Sequence, residues 1–292
     1  MSTWTIGILG GSGLYAIDGL ENREEIRVET PWGAPSDLLV RGTIQGVDFV
    51  FLPRHGRGHR IPPSTVNYRA NIDALKQAGC TDVLSVSACG SLQEAYAPGD
   101  VVMVDQFIDR THARETSFFG PGCVAHVSMA HPVCERLSKL AGDAAEASGA
   151  RVHRGGTYLA MEGPQFSSLA ESKLYRQWGC DVIGMTNMPE AKLAREAELP
   201  YATVAMVTDY DCWREETEAV SVTNVLEVLA ANTARARALI LDLAKRLSGQ
   251  ARTVSPQGIE TGLDHALITA PEARDPALVA RLDSVAGRVL KA

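Results

Sequence analysis

At 292 residues the chain can bury a full core as one large or two small domains, and 45% hydrophobic against 22% charged residues excludes a disordered protein. A net charge of −7 excludes a protein that wraps nucleic acid without sequence preference, which needs a basic stripe, while a local cationic pocket stays open. No run of about 18 apolar residues predicts a membrane span, and the six cysteines, Cys80, Cys89, Cys123, Cys134, Cys180 and Cys212, contain no C-x-x-C pair, which reads as reduced thiols in a cytoplasm.

Residues 3–9 read as a first strand, without the basic segment that opens a signal peptide. The strand ends in Gly10-Gly11-Ser12-Gly13-Leu14, a turn whose backbone N–H groups and Ser12 hydroxyl can face an anion. Residues 11–16 also match the dinucleotide fingerprint, but a Rossmann turn opens a long helix and Asp18-Gly19 stops this one after about one turn. Residues 37–42 and 47–52 predict a hairpin around Gln45-Gly46. Its second strand delivers Arg54-His55-Gly56-Arg57-Gly58-His59-Arg60. His55 and His59 have the spacing of a metal pair, yet Gly56 and Gly58 disfavour the helix that spacing requires, and no third ligand is evident. The stretch therefore reads either as a solvated charged loop or as an arginine clamp for an oxyanion.

The periodicity predicts a helix over 64–78 and a strand over 82–87, followed by a small-residue turn, Ala88-Cys89-Gly90-Ser91, beside the Ser87 hydroxyl. Cys89 has no histidine beside it and reads as a packed thiol rather than a nucleophile. A strand over 101–108, a polar loop over 111–121 and an amphipathic helix over 131–148 come next. A strand over 151–161 ends in Glu162-Gly163-Pro164-Gln165-Phe166, and a helix over 168–178 follows it. A short strand over 181–185 stops at Thr186-Asn187-Met188-Pro189, before a helix over 190–198.

Residues 201–208 then form an apolar strand that ends abruptly at Asp209. If the extended form lasts through Asp211, the two aspartates point the same way, roughly 6 to 7 Å apart. Sharing a partly dry pocket, they resist joint ionisation, so that one keeps its proton nearer neutral pH; the alternative is a pair of solvated loop residues. Ser221 is expected to cap a helix reaching 247, with Val222, Val225, Ile240 and Leu243 on its buried stripe. Residues 1–248 thus form the main domain. The remainder, 249–292, is patternless and then helical, too small for its own core, and expected to dock on the body or on another subunit.

Alternating strands and helices predict an α/β fold, and the polar motifs fall almost always just after a strand. In open α/β sheets ligands gather at the carboxyl ends of strands, so these motifs share one cleft: an anion site facing an acid.

Seven of the motifs, in this order, resemble the trimeric purine nucleoside phosphorylase family: Gly10-Gly11-Ser12-Gly13-Leu14, Arg54-His55-Gly56-Arg57, Val66-Asn67-Tyr68-Arg69-Ala70-Asn71, Ala88-Cys89-Gly90-Ser91-Leu92, Glu162-Gly163-Pro164 with Phe166-Ser167-Ser168, Gly184-Met185-Thr186 and Thr208-Asp209-Tyr210-Asp211-Cys212-Trp213. The likeness is greatest to its 5′-methylthioadenosine phosphorylase branch and spans roughly residues 5–247. It implies a single domain with a mixed central β-sheet flanked by helices, a homotrimer, and phosphorolysis of S-methyl-5′-thioadenosine to adenine and methylthioribose 1-phosphate, with no metal or organic cofactor and phosphate as co-substrate. By the resemblance, Ser12, Arg54, His55, Ser87, the N–H of Ala88 and Thr186 hold phosphate. Met185 lies under the ribose and Phe166 packs on the purine. Asp209 meets N7, Asp211 assists at the 6-amino group, and Val222 and Val225 line the methylthio pocket with His126 of a neighbouring subunit.

Three departures stand out: Gln165 replaces a common arginine, Ser12 a commoner threonine, and Gly184 a larger polar residue found in several adenine-specific relatives. Two other readings stay open, a phosphorylase of 6-oxopurine nucleosides or methylthioinosine, and a nucleoside-binding protein without turnover.

Overall fold

The computed structural model describes residues 3–11, 13, 14, 16–214 and 222–291, with the side chains of 222–229 excepted. Four strands form its parallel centre: β1 (Thr5–Gly10), β4 (Val47–Pro53), β5 (Asp82–Ser91) and β11 (Tyr201–Asp209). β1 pairs in parallel with both β4 and β5, and β5 pairs in parallel with β11. Antiparallel β2 (Glu21–Ile26) and β3 (Leu39–Ile44) extend the sheet beyond β4. On the other flank, β10 (Val182–Gly184) pairs antiparallel with the end of β5, then β9 (Thr157–Ala160) and β7 (Gln106–Asp109) follow. β6 (Val101–Met103) and β8 (Val152–Arg154) branch from β11. The mixed sheet flanked by helices is the α/β architecture the sequence predicts.

Side-chain alternation divides the core into two layers. On β11, Ala202, Val204 and Met206 face one way, against α2 (Glu135–Ala147) and α5 (Val222–Leu247) through Leu137, Ala141, Leu239, Ile240 and Leu243. Tyr201, Ala205 and Val207 face the other way, toward α1 (Tyr68–Gln77) and α4 (Asn187–Glu196) through Ile72, Leu75, Ala191 and Leu193. α3 (Leu169–Gln177) opens with a reciprocal capping box between Ser168 and Glu171.

Residues 250–291 pack on the body rather than hanging from it. Arg252 pairs with buried Asp82, α7 (Asp283–Leu290) sets Val285 and Ala286 into the α1 layer, and Arg288 grips buried Glu198. A short α6 (Pro276–Arg281) precedes α7.

Five elements differ from expectation. β2, Glu-Asn-Arg-Glu-Glu-Ile, is exposed along nearly its whole length and shows no hydrophobic period; as the edge strand, its charges deter pairing with another chain. The predicted strand over 151–161 breaks into two at Gly155-Gly156, both with positive φ, and the one over 101–108 breaks at Val104-Asp105. β5 runs on through the stretch read as a turn, because Ala88, Cys89 and Gly90 pair with β11. Finally, β11 stops at Asp209, and Asp211 takes a left-handed φ of 50°.

Candidate active site

Because β1, β4, β5 and β11 are parallel, their carboxyl ends meet at one edge, and β5 is the ruler along it. Arg54 leaves β4 and inserts its guanidinium, 3% exposed, beneath Ser85 and Val86. It donates to Ser85 Oγ at 2.5 Å, to the Leu9 carbonyl at 3.2 Å and, through Nη1, to the Val86 carbonyl at 3.4 Å. Its Nε and Nη2 are taken by Glu190 of α4, at 2.7 and 3.2 Å. Of the two readings of this stretch, a solvated loop does not describe Arg54, which is buried; two nitrogens of its fork are taken by Glu190, and Nη1 is the least engaged. Burial pulls the guanidinium pKa down, but the Glu190 carboxylate outweighs it and the net shift is upward. Tyr201 completes this buried network, its hydroxyl donating to Glu190 at 2.8 Å.

His55 is depressed to about 4, first by burial and then by the Arg54 charge, so it is neutral at pH 7. Its Nδ1 donates to the Ile61 carbonyl at 2.8 Å, which leaves Nε2 as an acceptor. The anion end thus carries little net charge, and hydroxyl and amide donors must do most of the binding. Ser87 Oγ and Thr186 Oγ1 lie 3.4 Å apart, Ala88 is exposed to the same edge, and Gly11, Gly13 and Leu14 line one cavity with Val86 and Ala88. Ser12 lies outside the described residues. Arg237 of α5 fixes the glycine turn, with Nε and Nη2 both donating to the Gly13 carbonyl at 2.8 and 2.6 Å.

The acid end sits farther along β5. Pairing shifts between Val207 and Asp209, so that Asp209 stands opposite Gly90, which makes Thr208 the extra residue of a bulge. Thr208 Oγ1 lies 2.7 Å from Asp209 Oδ2, and the Asp211 amide donates to Oδ1 at 2.7 Å, which fixes the carboxyl plane. A Cβ at Gly90 would come within 3.0 Å of Asp209 Oδ1 and 3.4 Å of Asp211 Cβ, so the missing side chain is what admits both residues. The two aspartates do converge, but through a left-handed turn rather than along an extended strand. Both carboxyls are raised above the usual range, and in both the leading cause is burial; repulsion from Asp209 is a lesser contribution at Asp211. From Ser87 to Gly90 the strand advances roughly 10 Å, room for an anion and a base on the two sides of one ribose.

Between the two ends, Met185 is partly buried against Gly163, where a Cβ would fall 2.5 Å from its sulfur. Arg114, unnoticed in the sequence, ties this middle together: it donates to Tyr68 Oη, Met188 O, Glu162 O and Glu162 Oε1.

A family model described as the phosphorylase superfamily matches residues 5–245. The chain belongs to the phosphorylase superfamily. Among curated relatives, an S-methyl-5′-thioadenosine phosphorylase of Cereibacter sphaeroides is 63% identical over 98% of both chains, and one of Bradyrhizobium diazoefficiens is 59% identical over the full length of both. Among solved structures, a methylthioadenosine phosphorylase from an antarctic soil metagenomic library superposes with a TM-score of 0.91 at 46% identity, covering 98% of this chain and 99% of that one. A methylthioadenosine phosphorylase of Schistosoma mansoni in complex with adenine gives 0.82 at 41% identity, over 88% and 96%.

In this phosphorylase-superfamily chain, two predicted residues are exposed to solvent and two more have side chains outside those described. Phe166 is 63% exposed, and His126 is exposed on a segment whose amide bonds Ala266. The side chains of Val222 and Val225 lie outside those described, although the backbone of both belongs to α5. Glu190, Arg114, Tyr158 and Arg237 escaped sequence reading because each acts through a partner distant in the chain, 136 residues away for Arg54–Glu190 and 224 for Arg237–Gly13.

Proposed function

We propose that the site cleaves S-methyl-5′-thioadenosine with phosphate, releasing adenine and 5-methylthioribose 1-phosphate. The observation that carries this is the placement of a hydroxyl-rich anion end at Ser87 on β5 beside a buried, protonatable Asp209 on the adjacent strand β11, opposite Gly90. The curated relatives that bear this activity in their names, at up to 63% identity over 98% of the chain, support the choice of substrate.

Phosphate lies against Ser87, Thr186, the Ala88 amide and Arg54 Nη1, with Ser12 of the glycine turn. Neutral His55 adds an acceptor for a hydroxyl of ribose or hydrogen phosphate. As the C1′–N9 bond breaks, its electron pair passes to the purine, and Asp209 gives its proton to N7, a role worth about 10² to 10⁴ in rate. A phosphate oxygen forms the new bond to C1′ from the opposite face, positioned by the anion end. Asp211 accepts from the 6-amino group and Met185 underlies the ribose. Phe166 covers the purine, and Val222, Val225 and a neighbouring subunit's His126 surround the methylthio group. No step requires a metal or organic cofactor. The homotrimer rests on the family resemblance, exposed Val124 and Ile268 fit a subunit contact, and six free cysteines fit a cytoplasmic setting.

The test is a substrate panel with and without phosphate. Methylthioadenosine is expected to release adenine only when phosphate is present, and faster than methylthioinosine releases hypoxanthine. Equal or faster turnover of the 6-oxo substrate moves the assignment to a sister activity, and the absence of turnover with any purine nucleoside overturns it.

A further inference from the structure

Beneath the anion end, Tyr158 of β9 is completely buried, and its hydroxyl lies 3.4 Å from Ser87 Oγ. The space it fills is the space a side chain at residue 184 would need. A Cβ built on Gly184 falls 1.9 Å from the tyrosine oxygen and 2.6 Å from Cζ, while Gly184 itself has no left-handed φ that would call for glycine. Backbone conformation therefore does not explain this glycine, whereas the tyrosine does.

Ser87 Oγ has one proton and two lone pairs. Its neighbours are the Ala88 carbonyl at 3.2 Å, Thr186 Oγ1 at 3.4 Å and the tyrosine hydroxyl. The serine proton can go to the Ala88 carbonyl, where it points in the structure, to the tyrosine oxygen or to an anion; a phenol that donates to Ser87 removes the tyrosine from that choice. A buried phenol must spend its own proton on an acceptor; the Thr186 backbone also reaches the phenol, and among the described residues the side-chain acceptor at its oxygen is Ser87 Oγ. Burial also pushes the Tyr158 pKa up to about 12, so the phenol keeps that proton at any working pH.

We propose that Tyr158 is a positioning residue for phosphate: its hydroxyl donates to Ser87 Oγ and so leaves the serine proton to point at the co-substrate, an arrangement that only glycine at 184 permits. The role rests on the phosphorolysis reading above and extends it to a residue that does not itself touch substrate. It also gives the Gly184 departure a physical cause, since the volume a larger residue would occupy is held by the tyrosine ring.

The test is Tyr158→Phe, which removes one oxygen and keeps the ring. The KM for phosphate is expected to rise about three- to tenfold, the usual worth of one hydrogen bond, with the KM for the nucleoside and the Tm little changed. In a Ser87→Ala background the same substitution should do nothing further, because the serine it acts through is gone. Gly184→Ala, which displaces the hydroxyl without removing it, is the second variant, and phosphate protection in a thermal-shift titration should weaken in it as well. An unchanged phosphate KM in Tyr158→Phe overturns the inference. So does an effect that persists in Ser87→Ala, or a uniform loss across both substrates with a lowered Tm. Failure of the wild-type enzyme to depend on phosphate sinks the functional reading itself, and a phosphate-dependent wild type beside an unaffected Tyr158→Phe sinks only the tyrosine's role.

Discussion

Asp209 is a carboxyl whose burial keeps a proton on it above the usual carboxylate range, while two fixed hydrogen bonds aim it. An acid of that kind loses its function as pH rises through its raised pKa, so kcat/KM for methylthioadenosine should fall on the alkaline side. Asp209→Asn should remove that limb, lower adenine release by about 10² to 10⁴, and shift relative preference toward 6-oxopurines, because an amide can donate to the oxygen. A pH–rate profile and the ratio of the two substrates' kcat/KM check both. His55 has the opposite shift. Its folded pKa, about 4, lies below the ordinary 6.5, so the unfolded chain binds more protons between those values and stability falls as pH drops through that window. His55→Gln should flatten that part of the curve of denaturation midpoint against pH. Glu190→Gln leaves the Arg54 charge buried without its counter-ion, a change that costs about 3 to 5 kcal/mol and should show in a urea titration.

At the scale of elements, the site is a property of β5 and what lies beside it. The helices and most strands were readable from period and turn residues, and so was the abrupt end of β11. The bulge at Thr208 was not, since it depends on how β11 registers against Cys89 and Gly90, and neither strand alone carries that information. Gly90 looks like one more turn glycine in the sequence, but its value is room for Asp209. Gly90→Ala should press a methyl against Asp209 Oδ1 and the Ile183 side chain, and lower kcat about 10- to 100-fold while circular dichroism stays native. Unchanged kcat would mean that the carboxyl tolerates displacement and is not the aimed acid described here.

For the molecule as a whole, the C-terminal 43 residues after Gly249 are part of the body. Ile259, Leu263, Leu282 and Val285 are at most 2% exposed, and burying four such side chains is worth about 6 to 12 kcal/mol, comparable to the net stability of a whole domain. A chain ended at Gly249 should therefore lose its cooperative thermal transition; one that kept the full-length Tm would show the segment to be dispensable. The same segment donates the arginines that pair with Asp82 and Glu198, two buried carboxylates of the main domain. Among the described residues no helix is long and apolar enough to cross a membrane.

What the sequence determined by itself is local: which stretches are apolar, where each stops, and which side chains capable of binding an anion or giving a proton stand at those stops. Thr186 and Asp209 could be named on that basis because strand ends are written in consecutive residues, and Ser87 was named at a strand end that β5 runs past. Only the tertiary structure decided how those groups are used. Arg54 turned out to hold Glu190 before it can hold anything else, Tyr158 filled the volume that Gly184 leaves, and Asp211 arrived by a left-handed turn. Each of these depends on two segments far apart in the chain meeting in a dry interior, where a missing Cβ or a counter-charge sets the outcome, and no local pattern encodes which segments meet.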